Sequence, residues 1–336
     1  MGMMTVGSEI VIKWRSLSPF VKPLVALGLV AFLLTSGQVD VRGILARPLV
    51  LFHPVGLGLG LLVLLLQTVR WWWLLRAQHV PARFWQVVQL AWVGQFFAVV
   101  SPGAIGSDFI RAYYVARDDL AGGAGALSTV LFDRVFGLYA LLWLGLVPII
   151  ASPLTGELSP AVMRLASLLG LSLLAATGAG FGLAWPPFRA WLWRWLPPGW
   201  GRALETVFVA YSAAPGLLPI VLGLSLVGHG FLAATYLVAS QTLQLDLDWR
   251  NAVVTVPLVV IANSLPISPG GLGVSEMLGA AVLTRLGTFS GATIILLVRW
   301  WLLLLRLPGG LIYALNRGAW LTAPGAGDKV TSHVQQ

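Results

Sequence analysis

Long apolar runs separated by short, arginine-bearing polar stretches set the pattern of this chain. A helix that crosses a bilayer needs about 20 predominantly apolar residues. By that measure the pattern predicts spans at roughly 20–37, 48–69, 125–150, 164–185, 215–240 and 290–314. Two further apolar segments, 85–117 and 251–286, are too long for one span, and Pro and Gly break each in the middle. Each therefore predicts a helical hairpin that enters the membrane and leaves by the same side. Such non-helical backbone is tolerated at depth only where it is buried in protein or lines a cavity.

The two breaks resemble each other. Ser101-Pro102-Gly103-Ala104-Ile105-Gly106-Ser107-Asp108 stands in the first, and Ser268-Pro269-Gly270-Gly271-Leu272-Gly273-Val274-Ser275 in the second. Five of the eight paired positions match closely, and the offset of 269 − 102 = 167 residues is almost half of 336. Acid-bearing sequence follows each (Asp108, Glu276), and about thirty residues later an apolar span carries Arg134 or Arg299. One Ser-Pro-Gly is a common turn. Two, breaking hydrophobic segments at corresponding places in the two halves, mark a two-repeat membrane transporter and point to its site.

Composition narrows the class. Hydrophobic residues make up 58% and charged residues 10%, against about 25% charged in soluble proteins, so a polytopic membrane protein is expected. The least hydrophobic gap, Trp185 to Pro215, is too short and proline-rich to fold alone. With no cysteine there is no disulfide, thiolate nucleophile or Cys-based metal site. His53, His79, His229 and His333 are scattered, so no metal site and no cofactor is expected. The net charge of +9 is spread between apolar spans rather than gathered in a run; it fits anionic lipid headgroups and not nucleic acid. Lys13, Arg15 and Lys22 precede an apolar stretch with no small-x-small cleavage site, which is therefore read as a first, rather short span.

The basic residues also orient the chain. With the N-terminus inside and both broken segments re-entrant, 14 of the 21 Lys and Arg fall on the cytoplasmic side and 5 outside, leaving Arg134 and Arg299 within spans. Arg70, Arg111 and Arg306 belong to the cytoplasmic 14. In this arrangement the first hairpin dips in from the cytoplasm and the second from outside, an inverted-topology repeat. The expected fold is thus all-α, a single membrane domain over 1–336. The first repeat is 1–163, the second is 164–320, and 321–336 is a disordered cytoplasmic tail. Trp71-Trp72-Trp73, beside Arg70 and Arg76, reads as an aromatic belt at a helix end, and 187–195 as a short helix in the membrane plane.

Further residues carry a family resemblance. Gln95-Phe96-Phe97, the first break, Arg111-Ala112-Tyr113 and Phe132-Asp133-Arg134-Val135-Phe136-Gly137-Leu138 are similar to the first signature of one family; Asn263-Ser264-Leu265-Pro266, the second break with Glu276, and Arg299 are similar to its second. The chain resembles, over roughly 20–320, the flippase-like transmembrane region of bacterial lysylphosphatidylglycerol synthases and its stand-alone relatives. The resemblance implies a bacterial plasma (inner) membrane protein that moves a lipid between leaflets. It does not imply lipid synthesis, which belongs to a separate soluble domain in the synthases. It also does not choose the cargo, since stand-alone relatives include proteins linked to hopanoids and polyprenyl-linked glycans.

The candidate substrate-binding residues are Ser101, Gly103, Gly106, Asp108, Arg111, Asp133, Arg134, Asn263, Ser268, Gly270, Gly271, Gly273, Glu276 and Arg299. Charges within spans cost roughly 2.5–3.5 kcal/mol each, so Asp133 and Arg134 need partners. As neighbours about 100° apart on a helix they are expected to face separate partners within the bundle. Arg134 suits a lipid phosphate, since a guanidinium can grip two oxygens; Arg299, beside Trp300 and Trp301, reads more readily as snorkelling to the interface than as a phosphate contact. The helix restarting after each break would aim free N–H groups at an anion, with glycines letting a headgroup approach. Asp108 and Glu276 would cap those N–H groups, pair with Arg111, Arg134 or Arg299, or take up a proton.

Three functions compete. The first is translocation of a phospholipid or other lipid phosphate, with membrane lipids as the partners. The second is an accessory to a separately encoded biosynthetic enzyme of lipids, hopanoids or polyprenyl glycans. The third, an enzyme acting on lipid phosphates, is disfavoured: Asp118-Asp119 and Asp246/Asp248 lie in separate loops, and no third acid joins either pair to hold Mg²⁺.

Overall fold

In the computed structural model, residues 48–316 are described apart from 79, 81, 102–104, 118–121, 196–204, 206–207, 210, 215, 266, 269 and 289. The expected span at 20–37 and the tail at 321–336 lie outside the described residues. A 3₁₀ turn, Pro48–Phe52, leads into α1 (Pro54–Ala77). Then come α2 (Phe84–Val100), α3 (Ile105–Arg117), α4 (Gly122–Thr155), α5 (Pro160–Ala184) and α6 (Pro186–Trp193). The second half holds α7 (Leu217–Thr242), α8 (Trp249–Ser264), α9 (Val274–Arg285), α10 (Gly291–Arg306) and α11 (Pro308–Asn316). Every described element is helical, and five stretches are long and apolar enough to cross a membrane: Leu49–Ala77, Ser128–Leu154, Pro160–Ala184, Leu217–Thr242 and Gly291–Leu315. These match the five spans expected within the described region. Their outward faces are apolar, with Leu154, Leu171 and Phe181 exposed, as a lipid-facing bundle requires.

Local chemistry sets several helix starts. Pro54 and Pro160 sit in first turns, where a missing N–H costs nothing. The side chains of His53, Ser159 and Asp248 accept from Gly56, Val162 and Arg250 backbone N–H groups. At Trp185 the extended backbone turns the chain from α5 into α6, the short helix expected near 187–195. Arg189 donates to both oxygens of Glu205 at 2.7 and 2.8 Å and to the Leu183 carbonyl. Its fork, with the Trp193 indole, holds Glu205 below the usual carboxylate range.

The centre of the bundle is the pair α1 and α7, which run antiparallel. Leu74 packs near Leu217 and Val221, Arg70 donates to Ser225, and Leu66 meets Gly228. Helix α10 runs parallel to α1, with Trp301 against Gly56 and Leu305 against Gly60. Helix α4 runs antiparallel to α1, with Thr129 at Trp71 and Asp133 at Arg70. So α1 and α7, and likewise α4 and α10, which the 167-residue offset pairs, point in opposite directions.

The two broken segments fold as hairpins. In the first, Val87, Leu90 and Ala91 share a core with Val115, and Gly94 lies against Ser107 and Arg111. In the second, Asn251 donates to the Leu286 carbonyl at 3.2 Å, Gly279 faces Val259, and Gly271 faces Asn263. The arms have 17, 13, 16 and 12 residues. At about 1.5 Å per residue the longest reaches about 25 Å, short of a hydrocarbon core about 30 Å thick. The first hairpin opens where α1 ends and α4 begins, the second where α7 ends and α10 begins. Since α1 and α7 are antiparallel, the hairpins open at opposite ends of the bundle.

Candidate functional site

The two breaks meet: the Gly270 N–H donates to the Ser101 carbonyl at 2.9 Å. Around this junction lies a cavity of about 240 Å³. Its walls include Gln67 of α1, Gln95 of α2, Asp108 and Arg111 of α3, Arg134 of α4, Tyr236 of α7 and Arg299 of α10. Both hairpins and both sequence-marked arginines therefore face one space near the middle of the spans.

Asp133 and Arg134 find separate partners, as the helical geometry requires. Asp133 is buried and bridges two guanidiniums, Arg70 Nε at 2.7 Å and Arg111 Nη2 at 2.9 Å. Arg111 also stacks over the Trp71 ring at 4.1 Å, and Trp71 donates to Thr129. Arg134 pairs with Asp108, returning from α4 to the hairpin before it. In the second half Arg299 does the same with Glu276. Arg299 also donates to the carbonyls of Gly270 at 2.8 Å and Gly271 at 3.3 Å, to Asn263 Oδ1 at 2.8 Å and to Ser275 Oγ. That network rules out the interface-snorkelling alternative for Arg299.

Glu276, with no exposed surface, both caps and pairs: Oε2 accepts from the Gly273 N–H at 2.7 Å and from Ser275, while Oε1 faces Arg299. The Gly106 N–H is taken by Ser101 Oγ at 2.9 Å. One N–H at the start of each returning helix, that of Gly106 and that of the cap residue Gly273, is thus taken by an acceptor from the chain itself. The glycines likewise serve the fold. A Cβ on Gly106 would meet Ser101 Oγ at 2.4 Å, and one on Gly271, at φ +72°, would meet Asn263 Oδ1 at 2.6 Å. Only glycine takes that backbone at no steric cost. Ser268 is fully buried, Gly270 lines the cavity, and Gly273 (φ +83°) starts α9. Gly103 lies outside the described residues.

Three arginines stand elsewhere than the sequence places them. Arg70, Arg111 and Arg306, counted as cytoplasmic loop charges, lie in the bundle: the first two at Asp133, the third on the cavity wall. Removing them from the expected orientation leaves 14 − 3 = 11 on its cytoplasmic side against 5 on the other, the same direction of bias. Trp71 is fully buried rather than at an interface; only Trp72 and Trp73 are partly exposed and flank Arg76. The apolar run resuming at 71–75 signals that α1 continues past Arg70, and the Gln67-Thr68 pair ahead of it marks a polar face. Nothing so clear marks Tyr236 or Arg306.

Among the described residues the buried and half-buried charges of this region are Arg70, Arg111, Arg134, Arg299 and Arg306 against Asp108, Asp133 and Glu276, a balance of 5 − 3 = +2. Every one of these acids has a guanidinium; no described carboxylate stands within ion-pair distance of Arg306. Nor does any described group of three or more His, Cys, Asp or Glu have the spacing to hold a metal.

No curated protein and no solved structure matches the chain. A family model does, that of the lysylphosphatidylglycerol synthase TM region, over residues 20–310. This multi-pass chain, with its paired hairpins and central charged cavity, belongs to the lysylphosphatidylglycerol synthase transmembrane-region family.

Proposed function

We propose that the protein translocates a phospholipid or other lipid phosphate between leaflets, its headgroup passing through the cavity between the breaks while the acyl chains stay in the bilayer. The observation that carries this reading is the excess of guanidinium over carboxylate around a cavity in the middle of the spans. Intramembrane charge is expensive and marks substrate paths. The barrier to transfer is taking an anionic head through hydrocarbon, and fixed guanidiniums lower it.

Arg134 is the principal contact. Its side chain and that of Asp108 are 28% and 23% exposed, so a phosphate can compete for it. Arg299, held by its own hairpin, orients the far wall and is the weaker contact. A cavity of about 240 Å³, below the roughly 300–1,000 Å³ of drug-sized sites, favours a compact headgroup over a glycan. Among the described residues the acid at the cavity, Asp108, is paired with Arg134, which favours reading the protein as a carrier over an enzyme. The bias of 11 to 5 supports a first hairpin open to the cytoplasm of a bacterium and termini on that side.

Purified protein in liposomes with labelled phospholipids tests this by the rate at which label leaves the outer leaflet. Transfer faster than in protein-free liposomes, slowed about tenfold or more by Arg134→Gln, is the expected result. Protein-free rates with folded, inserted protein would overturn it and favour the accessory function.

A further inference from the structure

The guanidinium of Arg306 has no ion-pair partner among the described residues. Arg306 lies close to the middle of the Gly291–Leu315 span, one residue past Leu305, which packs on Gly60 of α1. It lines the same cavity as Arg111, Arg134 and Arg299, and its Nε is buried without a hydrogen-bond partner. Among the described residues Asp108 is the one acid on that wall, and Arg134 occupies it. Asp133 and Glu276 lie behind the wall, each already paired.

An ammonium entering this space would meet four lining guanidiniums and no free carboxylate. A phosphate would meet a guanidinium that no described carboxylate pairs. Leaving a charge uncompensated at depth is costly, and an anionic ligand removes that cost where a cationic one adds to it. We propose that the cavity selects an anionic lipid phosphate whose headgroup bears no amine, with Arg306 as its charge-matching contact. Aminoacylated lipids, such as the lysylphosphatidylglycerol in the family's description, are then excluded. This inference rests on the lipid-phosphate reading above and deepens it.

The two stand apart in one binding experiment. Radiolabelled phosphatidylglycerol is bound to the purified full chain in neutral detergent. Unlabelled phosphatidylglycerol, phosphatidylethanolamine, lysylphosphatidylglycerol and water-soluble glycerol phosphate then compete for it. Phosphatidylglycerol is expected to compete at least about tenfold better than either amine-bearing lipid, and better than glycerol phosphate. Arg306→Gln should weaken its binding about tenfold and narrow the preference; Arg306→Lys, keeping the charge, should preserve most of both. Lysylphosphatidylglycerol competing as well as phosphatidylglycerol, or an unchanged preference in Arg306→Gln, overturns the inference and leaves lipid-phosphate binding standing. No binding of any lipid phosphate, or glycerol phosphate competing equally, removes the lipid reading beneath it.

Discussion

The two hairpins answer the same sequence motif with different electrostatics. In the second, Glu276 and Ser275 have no exposed surface, and Arg299 ties Gly270, Gly271, Asn263, Ser275 and Glu276 into one unit. Three glycines at positive φ (Gly270, Gly271 and Gly273) fold that break so that a single arginine reaches Gly270, Gly271 and Ser275 at once. In the first, the charges are divided. Asp133 locks the hairpin to its neighbours through Arg70 and Arg111, deep in the bundle. The pair Arg134–Asp108 stands apart from that lock and is partly exposed. Duplicated motifs need not yield duplicated roles: the second hairpin is a closed wall, while the first separates a structural ion cluster from an accessible one.

The opposed openings of the hairpins admit an all-or-none test, since the chain has no native cysteine. Single cysteines at the exposed Arg83 and Arg285 should react with a membrane-impermeant maleimide from opposite sides of sealed vesicles. Labelling of both from one side would break the comparison at its base.

Next come the locks. Removing one partner of a buried ion pair costs about 3–5 kcal/mol, because the other charge is left unpaired. Asp133→Asn strands two buried guanidiniums, and Glu276→Gln strands Arg299 and weakens the cap on Gly273. Both should lower the melting temperature in detergent sharply, independent of any lipid. A near-wild-type melt for Glu276→Gln would mean the second hairpin is not closed by charge.

How much of this was legible in the sequence follows from what each feature depends on. The five described spans and both hairpins follow from local hydropathy and from Pro/Gly interruptions. The separate partners of Asp133 and Arg134 follow from the helical angle between neighbours. The role of Arg70 was hidden because its partners, Asp133 of α4 and Ser225 of α7, are brought to it only by packing. Arg306 lies inside the 290–314 span expected from sequence yet counts there with the cytoplasmic charges, because the cavity it lines is assembled only by packing. The glycines were read as room for a ligand. Sequence shows a missing Cβ, but not whether a headgroup or Asn263 fills the space.

A smaller effect separates the two signature arginines. Arg134→Gln should insert and melt nearly as wild type while transport falls about tenfold or more, with Arg134→Lys intermediate because it keeps the charge but loses the two-oxygen grip. Arg299→Gln should lose stability along with transport, since it releases the whole second break. Equal losses of stability in the two variants would erase the distinction between wall and contact.

The smallest expected effect is the most diagnostic. Asp108 and Arg134 are each about a quarter exposed, and ion pairs reached by solvent contribute only about 0–1 kcal/mol. Asp108→Asn should therefore shift the melt within about that range, far less than Asp133→Asn two helical contacts away. Its effect on lipid should run the other way. The carboxylate of Asp108 competes with a phosphate for the Arg134 guanidinium, so neutralising it leaves that donor fork open and adds one unit to the positive balance of the cavity. Phosphatidylglycerol should then bind more tightly and leave more slowly, and transfer in liposomes should saturate at lower lipid fraction with a reduced maximal rate. The carboxylate would in that case be the group that makes binding reversible, displaced by the headgroup on arrival and restoring the ion pair on departure. Weaker phosphatidylglycerol binding in Asp108→Asn would instead mean that Asp108 holds Arg134 in place for the ligand, and the first hairpin would have to be grouped with the second as a fixed wall.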